Sequence, residues 1–501
     1  MMYISTRDNF KDVSASSAIR LGMVPKGGLF VPERIPVLPD SWMKLFPRLS
    51  YQEKAAHLLA LYLDDYSPEE IKDCVDQAYN GNNFGHPEIT PLEKLADDLY
   101  ILELWYGPTA AFKDLALQIM PRLLSLAVKK GGEERETVIL VATSGDTGKA
   151  ALEGFKDVPG MQIIVFYPRQ GVSKVQELQM TTTCGRNTHV VAVQGNFDDC
   201  QSAVKEIFAD EVFKSKLAKA GYQLSSANSI NWGRLVPQIV YYFAAYGEMV
   251  KRGAIKDGSK VNIVVPTGNF GNILAGWYAA RMGLPVHRFI CASNENKVLT
   301  DFFQTGIYNR NRPFKRTNSP SMDILISSNL ERFLFEITGH DAEKIRHWME
   351  NLSLHGSFTV DEATKASMDR IMGVGYATEE ETLTTIRETF RAAGYVLDPH
   401  TAVGKKVYQD YRDRTGDETP TVLAATASPF KFNASVMQAL QGEKGVEGRT
   451  EFQVLDELAR VTGLPVHPGL KGLEKRPVLH RRVCARKDLR AQIEEILLHE
   501  E

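Results

Sequence analysis

Val261-Asn262-Ile263-Val264-Val265-Pro266-Thr267-Gly268-Asn269-Phe270-Gly271-Asn272 joins a β-branched run to a turn bearing two glycines. The run reads as a strand buried on both faces, and the amphipathic stretch 272–282 after it reads as a helix. The same order recurs along the chain. Residues 137–141, 162–166, 189–193, 288–291 and 421–425 are further short apolar runs, with helical patterns such as 198–209 between them. Strand, turn, helix, strand is the signature of parallel sheets wound with crossover helices, so the expected fold class is α/β.

Two of the strand-to-helix turns could hold an anion. In the opening stretch, glycines three apart let the backbone approach a phosphate, and the following helix adds its free N–H groups. An ordinary connection would look the same. A dinucleotide is disfavoured, because the turn is not G-x-G-x-x-G and no acidic ribose partner follows. The other turn is Thr143-Ser144-Gly145-Asp146-Thr147-Gly148, after the strand ending near Ala142. Its hydroxyls and a helix beginning near Thr147 suit a carboxylate or phosphate. A Walker nucleotide loop fails here on Thr143, where a glycine is needed, and on Ala150, where a hydroxyl must hold magnesium.

Gly107-Pro108-Thr109-Ala110-Ala111-Phe112-Lys113-Asp114 places a lysine after small and apolar residues and before an amphipathic stretch, 115–128. A lone lysine is ordinarily a solvated charge. Desolvation would lower its pKa, which Schiff-base chemistry requires. Ser225-Ser226-Ala227-Asn228-Ser229-Ile230-Asn231-Trp232-Gly233-Arg234 interleaves hydroxyls and amides with one arginine. That set suits a phosphate ester, and Asn228 or Ser229 could also cap a helix running to Tyr242. Thr426 ends the last strand, where its hydroxyl could simply satisfy a backbone group.

Composition sets the outer bounds. A chain of 501 residues implies two or three domains or subdomains. Hydrophobic residues are 43% and charged residues 24%, ordinary for a globular enzyme, and the net charge of -3 argues against a nucleic-acid-coating protein. Five scattered cysteines form no metal-ligand spacing and are expected to be buried thiols. No signal peptide or membrane-spanning run is seen, so a cytoplasmic protein without a membrane partner is expected. The first ~95 residues are richer in helical pattern and look appended to the body. The polar stretch 310–320 is expected to be a surface loop.

Taken together, the motifs resemble threonine synthase. The stretch ending at Lys113-Asp114 is similar to the family's cofactor-lysine segment, and the Thr143, Asn228 and Pro266 segments are similar to its other signatures. Asp398-Pro399-His400-Thr401-Ala402-Val403-Gly404 and Thr426-Ala427-Ser428-Pro429-Phe430-Lys431-Phe432 complete the set in order. The resemblance implies a fold-type II pyridoxal-phosphate enzyme, like the tryptophan synthase β subunit, with wound parallel sheets in a large and a small domain. Residues 1–95 would form an N-terminal region, 96–255 the cofactor-lysine segment and smaller substrate domain, and 256–501 the large domain with a C-terminal extension. It implies conversion of O-phospho-L-homoserine and water to L-threonine and phosphate, the last step of threonine biosynthesis, by a monomer or homodimer. Lys113 would carry pyridoxal 5'-phosphate beside Phe112. Gly268, Asn269, Phe270, Gly271 and Asn272 would hold the cofactor phosphate, Thr426 the pyridine nitrogen, and Asp146 the phenolic oxygen. Thr143, Ser144, Asp146 and Thr147 would take the substrate carboxylate, and Asn228, Ser229 and Arg234 the substrate phosphate. No metal is implied. The chain departs from the pattern at Ser428 and Phe430, where many members carry histidine and alanine. Two rivals remain: a fold-type II dehydratase or β-replacement enzyme, which needs no receptor for a substrate phosphate, and a family member that keeps fold and cofactor but serves as a binding module.

Overall fold

The computed structural model describes residues 1–498. Two sheets form its body. The larger has six strands in the order Met372–Tyr376, Val286–Ser293, Val261–Pro266, Thr421–Ala425, Leu99–Glu103 and Leu92–Lys94. All neighbours are parallel except the last pair. The smaller sheet is wholly parallel, in the order Arg482–Ala485, Thr188–Gln194, Met161–Pro168, Glu136–Ala142 and Tyr222–Ser225. Every strand expected from the apolar runs is present, most of them longer by one to four residues.

Burial on both faces explains why these strands lack polar alternation. Along the larger sheet, Ile263, Val265, Val422 and Ala424 enter one apolar cluster, while Val264, Leu423 and Ala425 enter another on the opposite face. The smaller sheet repeats the division, with Ile139 and Val141 on one side and Val138 and Leu140 on the other. Each fully buried Val, Leu or Ile side chain contributes about 1.5–3 kcal/mol.

Proline interrupts two expected helices. The stretch 115–128 divides into Lys113–Leu117 and Met120–Lys130, with Pro121 in the first turn of the second. The helix expected to reach Tyr242 comes in three pieces: Trp232–Leu235, a 3₁₀ turn Val236–Gln238, and Ile239–Lys251. Pro237 has no N–H for a continuous ladder, so the backbone tightens there.

The N-terminal region pairs Tyr3–Ser5 with Phe30–Pro32 and adds the helices Tyr51–Tyr62 and Pro68–Ala78, each opened by a capping box. It packs onto the body around Trp232, which is fully buried between the rings of Tyr3 at 5.4 Å and Tyr62 at 5.6 Å. The far C-terminus does not follow the expected partition of 256–501 with the larger domain. Strand Arg482–Ala485 adds an edge to the smaller sheet, and helix Leu489–Leu498 covers that sheet's outer face. The reason is hydrophobic: Leu489, Ile493 and Ile496 meet Val138, Leu140 and Ile164 there.

Among the described residues, no helix is long and apolar enough to cross a membrane. The five cysteines are free. Four are buried as expected, whereas Cys184 is exposed and accepts a hydrogen bond from Lys156 Nζ at 3.1 Å.

Candidate active site

Lys113 opens the short helix Lys113–Leu117, and the residues before it are stitched to the end of the Thr421–Ala425 strand. Phe112 N–H donates to the Thr426 carbonyl at 2.9 Å, Ser428 N–H donates to the Ala110 carbonyl at 3.0 Å, and Ala111 bridges Ala427. Ala110 adopts a left-handed backbone, φ 62°, to make this crossing. Asp114 does not pair with the lysine. Its carboxylate turns back to accept from the Thr109 N–H at 2.8 Å and hydroxyl at 2.7 Å, and burial raises its pKa to about 6.

The Lys113 side chain is 12% exposed, and its Nζ lies 3.3 Å from Asp146 Oδ2. Burial pushes the amine below the usual lysine range; Asp146 opposes this, and the charges of Lys431 and Arg234 reinforce it. Asp146 begins the helix Asp146–Phe155 beyond the second anion-shaped turn. Lys431 Nζ at 3.1 Å and Gln176 Nε2 at 2.8 Å hold its other oxygen. Burial alone would raise this carboxyl, but Lys431, Lys113 and the Gln176 hydrogen bond outweigh it and keep Asp146 ionised well below the usual range. Within the same turn, Thr143 Oγ1 accepts from the N–H groups of Gly145 and Gly148 at 3.0 and 2.9 Å. That hydroxyl therefore shapes the turn. Ser144 is exposed and Thr147 half-buried.

The 268–272 turn is held in an unusual form. Phe270 is left-handed, φ 62°, and is fixed by the rings of Phe333 at 5.4 Å and Phe303 at 5.8 Å. Helix Gly271–Arg281 starts there and directs its unpaired N–H groups back into the turn. Asn272 Oδ1 accepts from Tyr241 OH at 2.8 Å, while its Nδ2, equally buried, has no partner among the described residues. An orphaned donor beside a helix N-terminus fits a phosphate.

Arg234 is buried, with Nη1 on the Ala227 carbonyl at 2.7 Å and Nε without a partner among the described residues; burial lowers its pKa to about 10. Asn228 and Ser229 are half-buried next to it. Three residues that the sequence did not single out tie this cluster to the 268–272 turn. Asn329 Nδ2 donates to the Ser229 and Asn269 carbonyls at 3.2 and 3.1 Å, and Ser328 Oγ donates to Asn269 Oδ1 at 3.4 Å. The fully buried Arg332 then joins Asn329 Oδ1 at 2.6 Å to the Phe30 carbonyl at 2.9 Å, so the N-terminal region braces this corner. Stretch 310–320 is not only a surface loop. Ser319 is fully buried, and Ser321 just beyond it reaches Asp146 Oδ2 at 3.1 Å. No motif spacing marked Ser321; its one sequence signal is a run of hydroxyl residues around Pro320.

The sequence matches three family models in succession. Residues 2–79 match the threonine synthase N terminus, 84–427 the pyridoxal-phosphate dependent enzyme family, and 401–486 the threonine synthase C-terminal model. A threonine synthase of Schizosaccharomyces pombe is 39% identical over 467 residues, covering 87% of this chain and 89% of that one. The chain belongs to the threonine synthase family. Another relative, human threonine synthase-like 1, is 41% identical over 88% of this chain, and the match spans only 61% of the human protein's length. The PLP-bound threonine synthase of Brucella melitensis superposes with a TM-score of 0.87 at 36% identity, covering 100% of this chain and 99% of that one. The fold-type II architecture expected for a threonine synthase is therefore the one observed.

Proposed function

We propose that this chain converts O-phospho-L-homoserine and water to L-threonine and phosphate, using pyridoxal 5'-phosphate carried by Lys113. The observation that carries the reading is a desolvated lysine beside a fixed carboxylate, with the charge of Arg234 acting on it from one corner and Ser321, which it touches, packed on Gly268 of the other. One corner serves the cofactor and the other the substrate.

The residues present fit the cofactor. The 268–272 turn, with the orphaned Asn272 Nδ2, would hold its phosphate; Thr426 would meet its pyridine nitrogen and Asp146 its phenolic oxygen. When bound, the cofactor supplies an electron sink for the carbanion at substrate Cα. Lys113 Nζ, with its lowered pKa, takes and returns the Cα proton. Arg234, with Asn228 and Ser229, grips the phosphate that departs from Cγ and stabilises the charge it gains. The Thr143–Thr147 segment, through Ser144, Thr147 and its backbone N–H groups, orients the substrate carboxylate. A neutral hydroxyl at Thr426, where a carboxylate would hold the nitrogen protonated, favours this sequence over simple transamination. A dehydratase would have no use for the second phosphate corner.

Incubating the cofactor-loaded protein with O-phospho-L-homoserine tests the reading. Equimolar phosphate and L-threonine are expected. Phosphate release with another product would point to a different family activity, and no turnover would favour the binding-module alternative.

A further inference from the structure

We propose that Ser321 is a further residue of the active site, positioning the Lys113 amine through Asp146, and that the buried Asp398–His400 pair exists to hold Ser321 there. This rests on the proposed role of Lys113.

Ser321 lies in the 3₁₀ turn Pro320–Met322, outside every segment that carries a family motif. Its hydroxyl donates to Asp146 Oδ2 at 3.1 Å and accepts from Lys113 Nζ at 3.4 Å. The two carboxylate oxygens thus have separate duties. Oδ1 is taken by Lys431 and Gln176, and Oδ2 by Lys113 and Ser321. Ser321 caps the side of the carboxylate that faces the reactive amine and so limits how strongly Asp146 can hold a proton on it.

The backbone of Ser321 is clamped from two directions. Its N–H donates to His400 Nε2 at 3.1 Å. That bond requires Nε2 to be unprotonated, which places the imidazole proton on Nδ1, and Nδ1 is 2.8 Å from Asp398 Oδ1. The two side chains are 2% and 1% exposed. On the other side, the Ser321 carbonyl packs on Gly268 so closely that a Cβ there would lie 2.5 Å from it. Asp398 also caps the helix Pro399–Thr415, but capping needs only the carboxylate. A dry, tautomer-fixed imidazole whose free nitrogen meets a backbone N–H 79 residues away is a positioning device.

The test uses cofactor-loaded protein and two readouts, the pH midpoint of the bound cofactor's visible absorbance, taken without substrate, and kcat. Ser321→Ala should raise the midpoint, because the donor lost from Asp146 at 3.1 Å outweighs the weaker acceptor lost from the Lys113 nitrogen at 3.4 Å, and lower kcat roughly tenfold to a hundredfold. His400→Asn, whose amide cannot reach Ser321 N–H, should move both readouts the same way. His400→Gln, which returns an acceptor near the Nε2 position, should recover most of the loss. The double variant Ser321→Ala/His400→Asn should match Ser321→Ala alone. Additive losses, a Gln variant as impaired as Asn, or an unmoved midpoint in Ser321→Ala would each overturn the proposal. Since the absorbance needs no substrate, a wrong assignment of the reaction would leave that outcome intact.

Discussion

Gly268→Ala isolates the closest approach in the 268–272 turn, proposed above to hold the cofactor phosphate. A Cβ at this position would sit 2.5 Å from the Ser321 carbonyl oxygen, 3.4 Å from Met322 Cα and 3.5 Å from the Ser321 carbonyl carbon. All three are backbone atoms, so no rotamer change relieves the contact. Reaching an ordinary 3.4 Å separation requires about 0.9 Å of movement. Ser321 cannot yield freely, because its N–H is bonded to His400 and its hydroxyl to Asp146. The turn is equally tethered, since the Gly268 carbonyl accepts from Ser327 Oγ at 2.7 Å. Gly268 is not among the positive-φ residues, so the substitution adds no backbone strain of its own. Losing one hydrogen bond to a charged ligand costs about 1.5–3 kcal/mol, which predicts cofactor binding weaker by roughly tenfold to a hundredfold. Titrating cofactor-free protein with pyridoxal phosphate measures it, with a thermal melt to verify folding. Gly81→Ala, where a Cβ meets nothing within 4 Å, serves as the neutral control. Gly268→Ala binding the cofactor within twofold of the parent would refute the reasoning.

Three further outcomes are expected. Arg234→Ala should lower kcat/KM for the phosphorylated substrate by roughly tenfold to a hundredfold while leaving the cofactor's absorbance unchanged; loss of cofactor would assign Arg234 to the other corner. Lys431→Met leaves Asp146 Oδ1 facing a buried apolar group and should destabilise the fold by about 3–5 kcal/mol, read by urea unfolding. His467 is buried, and burial with the charge of Lys431 lowers its pKa from 6.5 to about 4. The unfolded chain therefore takes up this proton first. Stability from the neutral imidazole is complete above about pH 6.5 and is lost as pH falls toward 4. Between pH 7 and pH 5 the loss is about 2 kcal/mol, and His467→Gln should remove that part of the decline.

Much of the fold was legible because burial writes itself into composition. The runs at 138–141 and 263–265 carry apolar, mostly β-branched side chains on successive residues, as a strand covered on both faces needs. The two glycine turns and the Lys113 segment stood out for the same local reason: each candidate group is contiguous in sequence. What escaped was assembled across distance. Ser321 reaches Lys113 from 208 residues away, and nothing in its neighbours marks that contact. Arg332 lies in none of the motifs, yet it braces the carbonyls of Phe30 in the N-terminal region and of Ile230. The partition of 256–501 missed the C-terminal strand because a four-residue stretch, 482–485, carries no local mark of which sheet edge it joins. Ser428, where relatives often carry histidine, is fully buried here, and its hydroxyl accepts from Phe430 N–H at 3.4 Å.

The central claim is that Lys113 is the residue that carries the cofactor. Borohydride reduction of the loaded protein, followed by peptide mass spectrometry, tests it most directly. The account predicts one modified peptide, with the pyridoxyl phosphate mass on Lys113, and no modification in Lys113→Ala. Modification of Lys431 instead, or of no lysine, would contradict it.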